Sequence, residues 1–137
     1  MDAPKYSEKW QERFEFFEKN GSPASKKNRE EYRKLHFLKK IKINMNFFAF
    51  FFGIIYFVII GLWKKGLVLF GLVFATGFSL GVVQLILDIE FSDSIYNAIG
   101  IAFAGLNGIA ANYAYYLKEK KGDNSWNPFK GIFFDDK

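Results

Sequence analysis

The chain has 137 residues, half of them hydrophobic and a fifth aromatic, with no cysteine. That length suits about one domain, and the missing cysteines exclude disulfides, cysteine metal sites and thiol chemistry. A net charge of +5 invites a nucleic-acid reading, but the charge is segregated. Residues 1–42 carry 12 of the 19 lysines and arginines, and residues 66–117 carry none. A basic block beside long uncharged stretches predicts a membrane protein whose charge meets anionic headgroups, and no nucleic-acid partner.

The first 42 residues are charged and lack the apolar core of a cleavable signal peptide. Within them "YSEKWQERFEFFEKNG" predicts a short helix capped by Ser7, with Trp10, Phe14 and Phe17 on one face. Asn20-Gly21 and Pro23 supply its stop. "SKKNREEYRKLHFLKKIKI" predicts a single second helix capped by Ser25. Tyr32, Leu35, Leu38 and Ile41, or the nearby Phe37, form its apolar side. Lys26, Arg29, Arg33, Lys34, Lys39, Lys40 and Lys42 form its basic side. Such a helix leading into an apolar segment is expected to lie on an anionic bilayer surface. The alternative is that helices one and two pack on each other as a small helical hairpin, which would still have a basic face.

Three apolar segments follow, at 47–63, 67–87 and 95–117. Asp88, Glu90 and Asp93 are the only charged residues between 66 and 117. If all three segments crossed a membrane from a cytoplasmic N-terminus, Lys64, Lys65 and the cluster at Lys118, Lys120 and Lys121 would lie outside. If the first dips in and returns, every basic cluster faces the cytoplasm and the outer loop is acidic, as the positive-inside bias prefers. Seventeen residues are at the short limit for a span, and Gly53 interrupts them near the middle. A re-entrant segment is therefore expected, its irregular backbone covered by protein. The alternative is a short first span and three crossings. Lys64 and Lys65 join Lys26, Arg29, Arg33, Lys39, Lys40 and Lys42 as the expected lipid-surface cations.

The second and third segments carry small residues at a spacing of four: Gly71, Ala75 and Ser79, then Gly77 and Gly81, then Gly100, Ala104 and Gly108. These ladders predict close packing of the two helices on each other. Gln84, Asn97, Asn107 and Asn112 are the intramembrane polar residues. Counted inward from the acidic loop, Gln84 lies level with Asn97, and Thr76 near Asn107. Read structurally they are interhelical glue; read functionally, the asparagines form a polar track along the third helix.

"SEKWQERFEFFEKNG" followed by "INMNFFAFFFGIIYFVIIGLWKKGL" resembles the bacterial inner-membrane proteins grouped as DUF2628. The resemblance covers roughly residues 7–90, and "NFFAFFFG" and "GLWKKG" are its most specific blocks. It implies a small inner-membrane protein and contributes no activity, because the family's own activity is unknown.

Chemistry is nearly absent from the pattern. His36 is the sole histidine and reads as a helix-face residue. The absence of carboxylate, Lys, Arg or His inside the apolar segments argues against a proton-coupled transporter. The acidic loop is better read as solvated than as a divalent-cation site, and no phosphate loop or metal spacing occurs. The expectation is an all-α membrane protein without catalytic, cofactor or metal residues. Residues 1–42 form amphipathic cytosolic or interfacial helices and 43–65 the re-entrant or short spanning segment. Residues 66–117 form a transmembrane hairpin with an outer loop at 88–94, and 118–137 a cytosolic tail. It would be a multi-pass bacterial inner-membrane protein with both termini cytoplasmic. Its expected work is non-catalytic helix packing on a membrane-protein partner or on further copies of itself, for example as an immunity or regulatory protein. The alternative is an oligomeric pore or transport accessory subunit lined by Asn107 and Asn112.

Overall fold

The computed structural model describes residues 6–134. They form seven helices: α1 (Glu8–Asn20), α2 (Lys26–Arg33), α3 (Phe37–Asn44), α4 (Phe47–Phe52), α5 (Ile54–Ile59), α6 (Trp63–Leu87) and α7 (Asp93–Lys121). There is no strand among the described residues, only an isolated bridge between Lys130 and Phe134.

Ser7 caps α1 by accepting the Trp10 N–H, and Gly21 ends the helix. Phe14 and Phe17 are buried and Trp10 half-buried. They pack in part on the predicted second helix, at Leu35 and at Ile43 of α3, and also on Tyr113, Tyr116 and Leu117 at the C-terminal end of α7, which the sequence did not reveal as a partner. The Phe17 ring meets Tyr113 edge-on at 5.1 Å. Burying each phenylalanine contributes about 1.5–3 kcal/mol, which anchors α1 to α7.

The single basic helix expected from Ser25 onward is instead two. Ser25 caps α2 as its spacing predicts, but the chain is extended at His36 and restarts as α3. The break lets Leu35 turn into the α1–α7 cluster, and the Tyr32 hydroxyl bridges it by donating to the Lys40 carbonyl at 3.2 Å. As a result Phe37 and Leu38 are exposed, although a continuous helix would place Leu38 on the apolar side.

Next comes a helical hairpin of two short arms. Asn46 caps α4, Gly53 joins α4 to α5 with φ +53°, and Gly61 turns the chain into α6 with φ +80°. Positive φ at these two joints is the conformation glycine adopts without strain. The Asn46 N–H donates to Gly108 O at 3.0 Å, Gly53 lies against Asn107, and the Lys118 ammonium donates to Ile60 O at 3.2 Å. The segment thus enters the gap between α6 and α7 and leaves it at the same end, where α6 begins and α7 finishes. Arm α4 lies on α7 and arm α5 on α6. Ala49, Phe57, Leu62, Leu69, Ala110, Ala111 and Ala114 form the core of this wedge.

The wedge corrects the expected packing of the small-residue ladders. Because α4 and α5 occupy the space between them, α6 and α7 touch little. A Cβ added at Gly71, Gly77, Gly81 or Gly100 would meet nothing within 4 Å, whereas one at Gly108 would meet Met45 Sδ at 2.5 Å and Asn46 O at 3.3 Å. Ala75 is exposed; Ala104 is half-buried beside the hairpin tip. Gln84 does not pair with Asn97, which is exposed. Its Oε1 accepts the Phe91 N–H at 2.6 Å and closes the α6–α7 turn, in which Asp88 is left-handed.

Both α6 and α7 are long and apolar enough to cross a membrane, yet only 11% and 17% of their apolar stretches are buried within the chain. Residues 122–134 are not a free tail. They cross the lower end as a strap, with Gly131 O accepting the Ala24 N–H at 2.9 Å and Trp126 edge-on to Trp63 at 5.4 Å.

Gly108→Leu should lower the stability of the purified protein by about 1–3 kcal/mol through overpacking, while Gly77→Leu should leave thermal unfolding unchanged. Equal shifts for the two would contradict the wedge.

Candidate functional site

The break between α3 and α4 creates the polar centre of the molecule. A helix end leaves carbonyls without intrahelical partners, and here Lys42, Ile43 and Met45 present theirs into a buried region. Two side chains from distant helices satisfy them. Arg13 of α1 donates from Nε to Lys42 O at 2.6 Å and from Nη2 to Met45 O at 3.3 Å. Asn112 of α7 donates from Nδ2 to Ile43 O at 2.9 Å and Met45 O at 3.2 Å. Asn46 completes the node. Its Oδ1 accepts the Ala49 N–H, and its Nδ2 donates to Asn112 Oδ1 at 3.1 Å and to the Tyr56 hydroxyl at 3.0 Å. Arg13, Asn46 and Asn112 are all buried. Burial pulls the Arg13 guanidinium down to about 10, so it stays charged at neutral pH, with the Trp10 ring 4.6 Å away.

Four residues therefore join α1, α3, α4, α5 and α7 at the mouth of the hairpin. Of the intramembrane polar residues read from the sequence, only Asn112 takes part. Asn107 lies at the hairpin tip, and Asn97 and Gln84 belong to the far end. Arg13 and Asn46 were not singled out by sequence. The signal for Arg13 was present, because its position falls on the same helical stripe as Trp10, Phe14 and Phe17.

The expected lipid-surface cations divide. Lys26, Arg29, Arg33 and Lys39 are exposed. Lys40 lies over the Tyr32 ring, Lys64 over Trp63 and Trp126, and Lys42 pairs with Glu12 at 3.1 Å. Lys65 is not at a surface at all: it is buried and donates to Ser125 O at 2.7 Å. The strap covers it, so it holds residues 122–134 against α6.

Two carboxylates tie the lower end together. Glu18 accepts from the Tyr116 hydroxyl and pairs with Lys121 at 3.5 Å, and the Tyr116 bond holds its carboxyl below the usual range. Asp123 is lowered mainly by its bond to Lys130. Among the described residues no group of His, Asp or Glu is placed to hold a metal ion.

Fold and node define an all-helical protein in which two long apolar helices flank a short helical hairpin pinned by buried amides and one arginine. The chain belongs to the DUF2628 family, described as proteins of unknown function, whose family model matches residues 4–121. The match includes α7, which the resemblance over residues 7–90 did not reach. Among its relatives is the uncharacterized protein YigF of Salmonella typhimurium, 34% identical over 125 residues that cover 88% of this chain and 90% of that protein. The uncharacterized YigF of Escherichia coli K12 is 32% identical over 131 residues, covering 93% and 95%. No solved structure matches the chain.

Asn112→Ala should destabilise the fold by about 1–3 kcal/mol, since it strands buried carbonyls. A double-mutant cycle with Asn46→Ala should show coupling of at least about 0.5 kcal/mol; strict additivity would dissolve the node. Both depressed carboxylates contribute stability that is present above their unfolded values of 4.5 and 3.8 and lost as pH falls through their lower folded values. Acid titration of Glu18→Gln should accordingly show a shallower loss of stability below pH 4.5 than the unmodified chain.

Proposed function

We propose that this chain is a non-catalytic integral protein of the bacterial inner membrane that works by packing its long helices against a partner's membrane helix. The observation that carries the reading is the asymmetry of the two ends. The buried amides at the hairpin mouth bond within the chain, while the outer halves of α6 and α7 hold apolar side chains that nothing in the chain covers. Phe78 and Ile86 are each 74% exposed and Leu85 83%. A continuous apolar surface of this extent suits lipid or another helix as its environment. The open glycines at 71, 77, 81 and 100 allow the close backbone approach by which membrane helices associate.

In this reading the α4–α5 hairpin is a re-entrant element. It enters from the cytoplasmic side, and α6 and α7 shield the backbone at its tip, as a hydrocarbon surrounding demands. Both termini and every basic cluster lie in the cytoplasm, and the turn with Asp88 and Glu90 lies outside. The intramolecular bonds of Asn112 weigh against a pore lined by that residue. An immunity role and a regulatory role would use the same helix surface.

Cysteines placed singly in this cysteine-free chain test the topology. An impermeant thiol reagent outside intact spheroplasts should label Ser92→Cys and leave Lys64→Cys untouched; labelling of the latter would turn the hairpin into a span. Cross-linking in native membranes with mass spectrometry should place partner peptides on α6 between Gly71 and Gly81. Cross-links confined to α1 and α2 would remove the helix-packing role.

A further inference from the structure

We propose that the groove between α1 and the mouth of the α4–α5 hairpin binds an anionic phospholipid, with Arg13 and Lys9 on its phosphodiester and Phe47, Phe48 and Ile59 along its acyl chains. The inference rests on the membrane reading above and adds a ligand and a site to it. The groove encloses about 540 Å3, and all five of these residues line it.

The first support is the state of Arg13. It is only 4% exposed, and among the described residues no carboxylate stands within ion-pair distance of it. Its neighbour Glu12 is engaged by Lys42. Of the five N–H groups of a guanidinium, two are taken by the Lys42 and Met45 carbonyls. A buried charge offset by two carbonyls, the Trp10 ring and a Glu12 shared with Lys42 is still costly, and an anion in the groove would offset it with the remaining donors. Phosphate oxygens suit that planar fork.

The second support is Lys9, one turn before Arg13. Like charges four residues apart on a helix repel each other, and both side chains line one groove. A phosphodiester between them turns repulsion into attraction. The Tyr56 hydroxyl also lines the groove. It accepts from Asn46 and so keeps its own proton for donation.

The third support selects a lipid over free phosphate. Phe47, Phe48 and Ile59 line the same groove as the two cations and are 54%, 60% and 74% exposed. A small anion would meet the cations alone, whereas a phospholipid matches the cations and the apolar side chains together. The head group is anionic because an ammonium beside the phosphate would sit next to Lys9 and Arg13.

The test uses the full chain purified in a neutral detergent, with native mass spectrometry as the readout. The probes are phosphatidylglycerol, a diacylglycerol with the same chains, and inorganic phosphate. One phosphatidylglycerol should remain bound. Arg13→Gln, which keeps an amide donor at the position of the Arg13 Nε for the Lys42 carbonyl, should weaken it about tenfold, the loss of one charge-assisted contact. Lys9→Gln should weaken it severalfold, and Lys26→Gln, which removes the same charge from exposed α2, should not. Equal retention of diacylglycerol, complete displacement by inorganic phosphate, or equal weakening by Lys26→Gln would overturn the proposal. If Arg13→Gln loses its helical circular dichroism, Lys9→Gln decides alone. Alkaline carbonate extraction separates the two readings. A chain released from the membrane pellet ends both, and one that stays while Lys9→Gln and Arg13→Gln bind phosphatidylglycerol like the unmodified protein ends the lipid site only.

Discussion

Everything in this fold depends on satisfying the backbone where α3 stops and α4 begins. The chain must change direction there to send the hairpin between α6 and α7, and the change strands the carbonyls of Lys42, Ile43 and Met45 in a buried region. Unsatisfied, each would cost about 1–3 kcal/mol. The donors come from 29 and 69 residues away, Arg13 on one side and Asn112 on the other. One set of hydrogen bonds therefore positions the amphipathic helix α1, the hairpin and α7 relative to one another.

The hairpin in turn decides what the long helices can do. By filling the space near their shared end, it spends Gly108 of α7 and Gly66 of α6 on its own approach and leaves Gly71, Gly77 and Gly81 of α6 in open space. Two helices that a simple hairpin would pair tightly are held apart over a protein wedge. Their outer faces are thereby kept for lipid or for another chain on the proposed reading, and the molecule's stability rests on α4, α5 and the aromatic cluster around α1 instead.

Charge follows the same division. Arginine and lysine side chains crowd the end that carries α1 to α3 and the strap, but they are not interchangeable. Lys65 is a buried clamp, Lys64 and Lys40 lie over aromatic rings, and Arg13 serves the backbone. Only part of the basic composition is free to face an anionic surface, and Lys9 and Arg13 owe any role there to where the hairpin mouth brings them.

The amino-acid sequence by itself determined the elements whose signal is local. Ser7 and Ser25 as caps, the apolar stripe of α1, the interruption at Gly53, the two long apolar helices and the acidic turn between them all follow from periodicity, glycine and charge within a few residues. The family was legible for the same reason, in the aromatic blocks around 46–66. Tertiary structure alone decided what depends on distance along the chain: the break at His36, the partner of each glycine, the burial of Lys65 and the union of Arg13, Asn46 and Asn112. A small-residue ladder states that something can approach closely but not which helix will. A buried polar side chain is explained only by the backbone groups it meets, and those lie dozens of residues away.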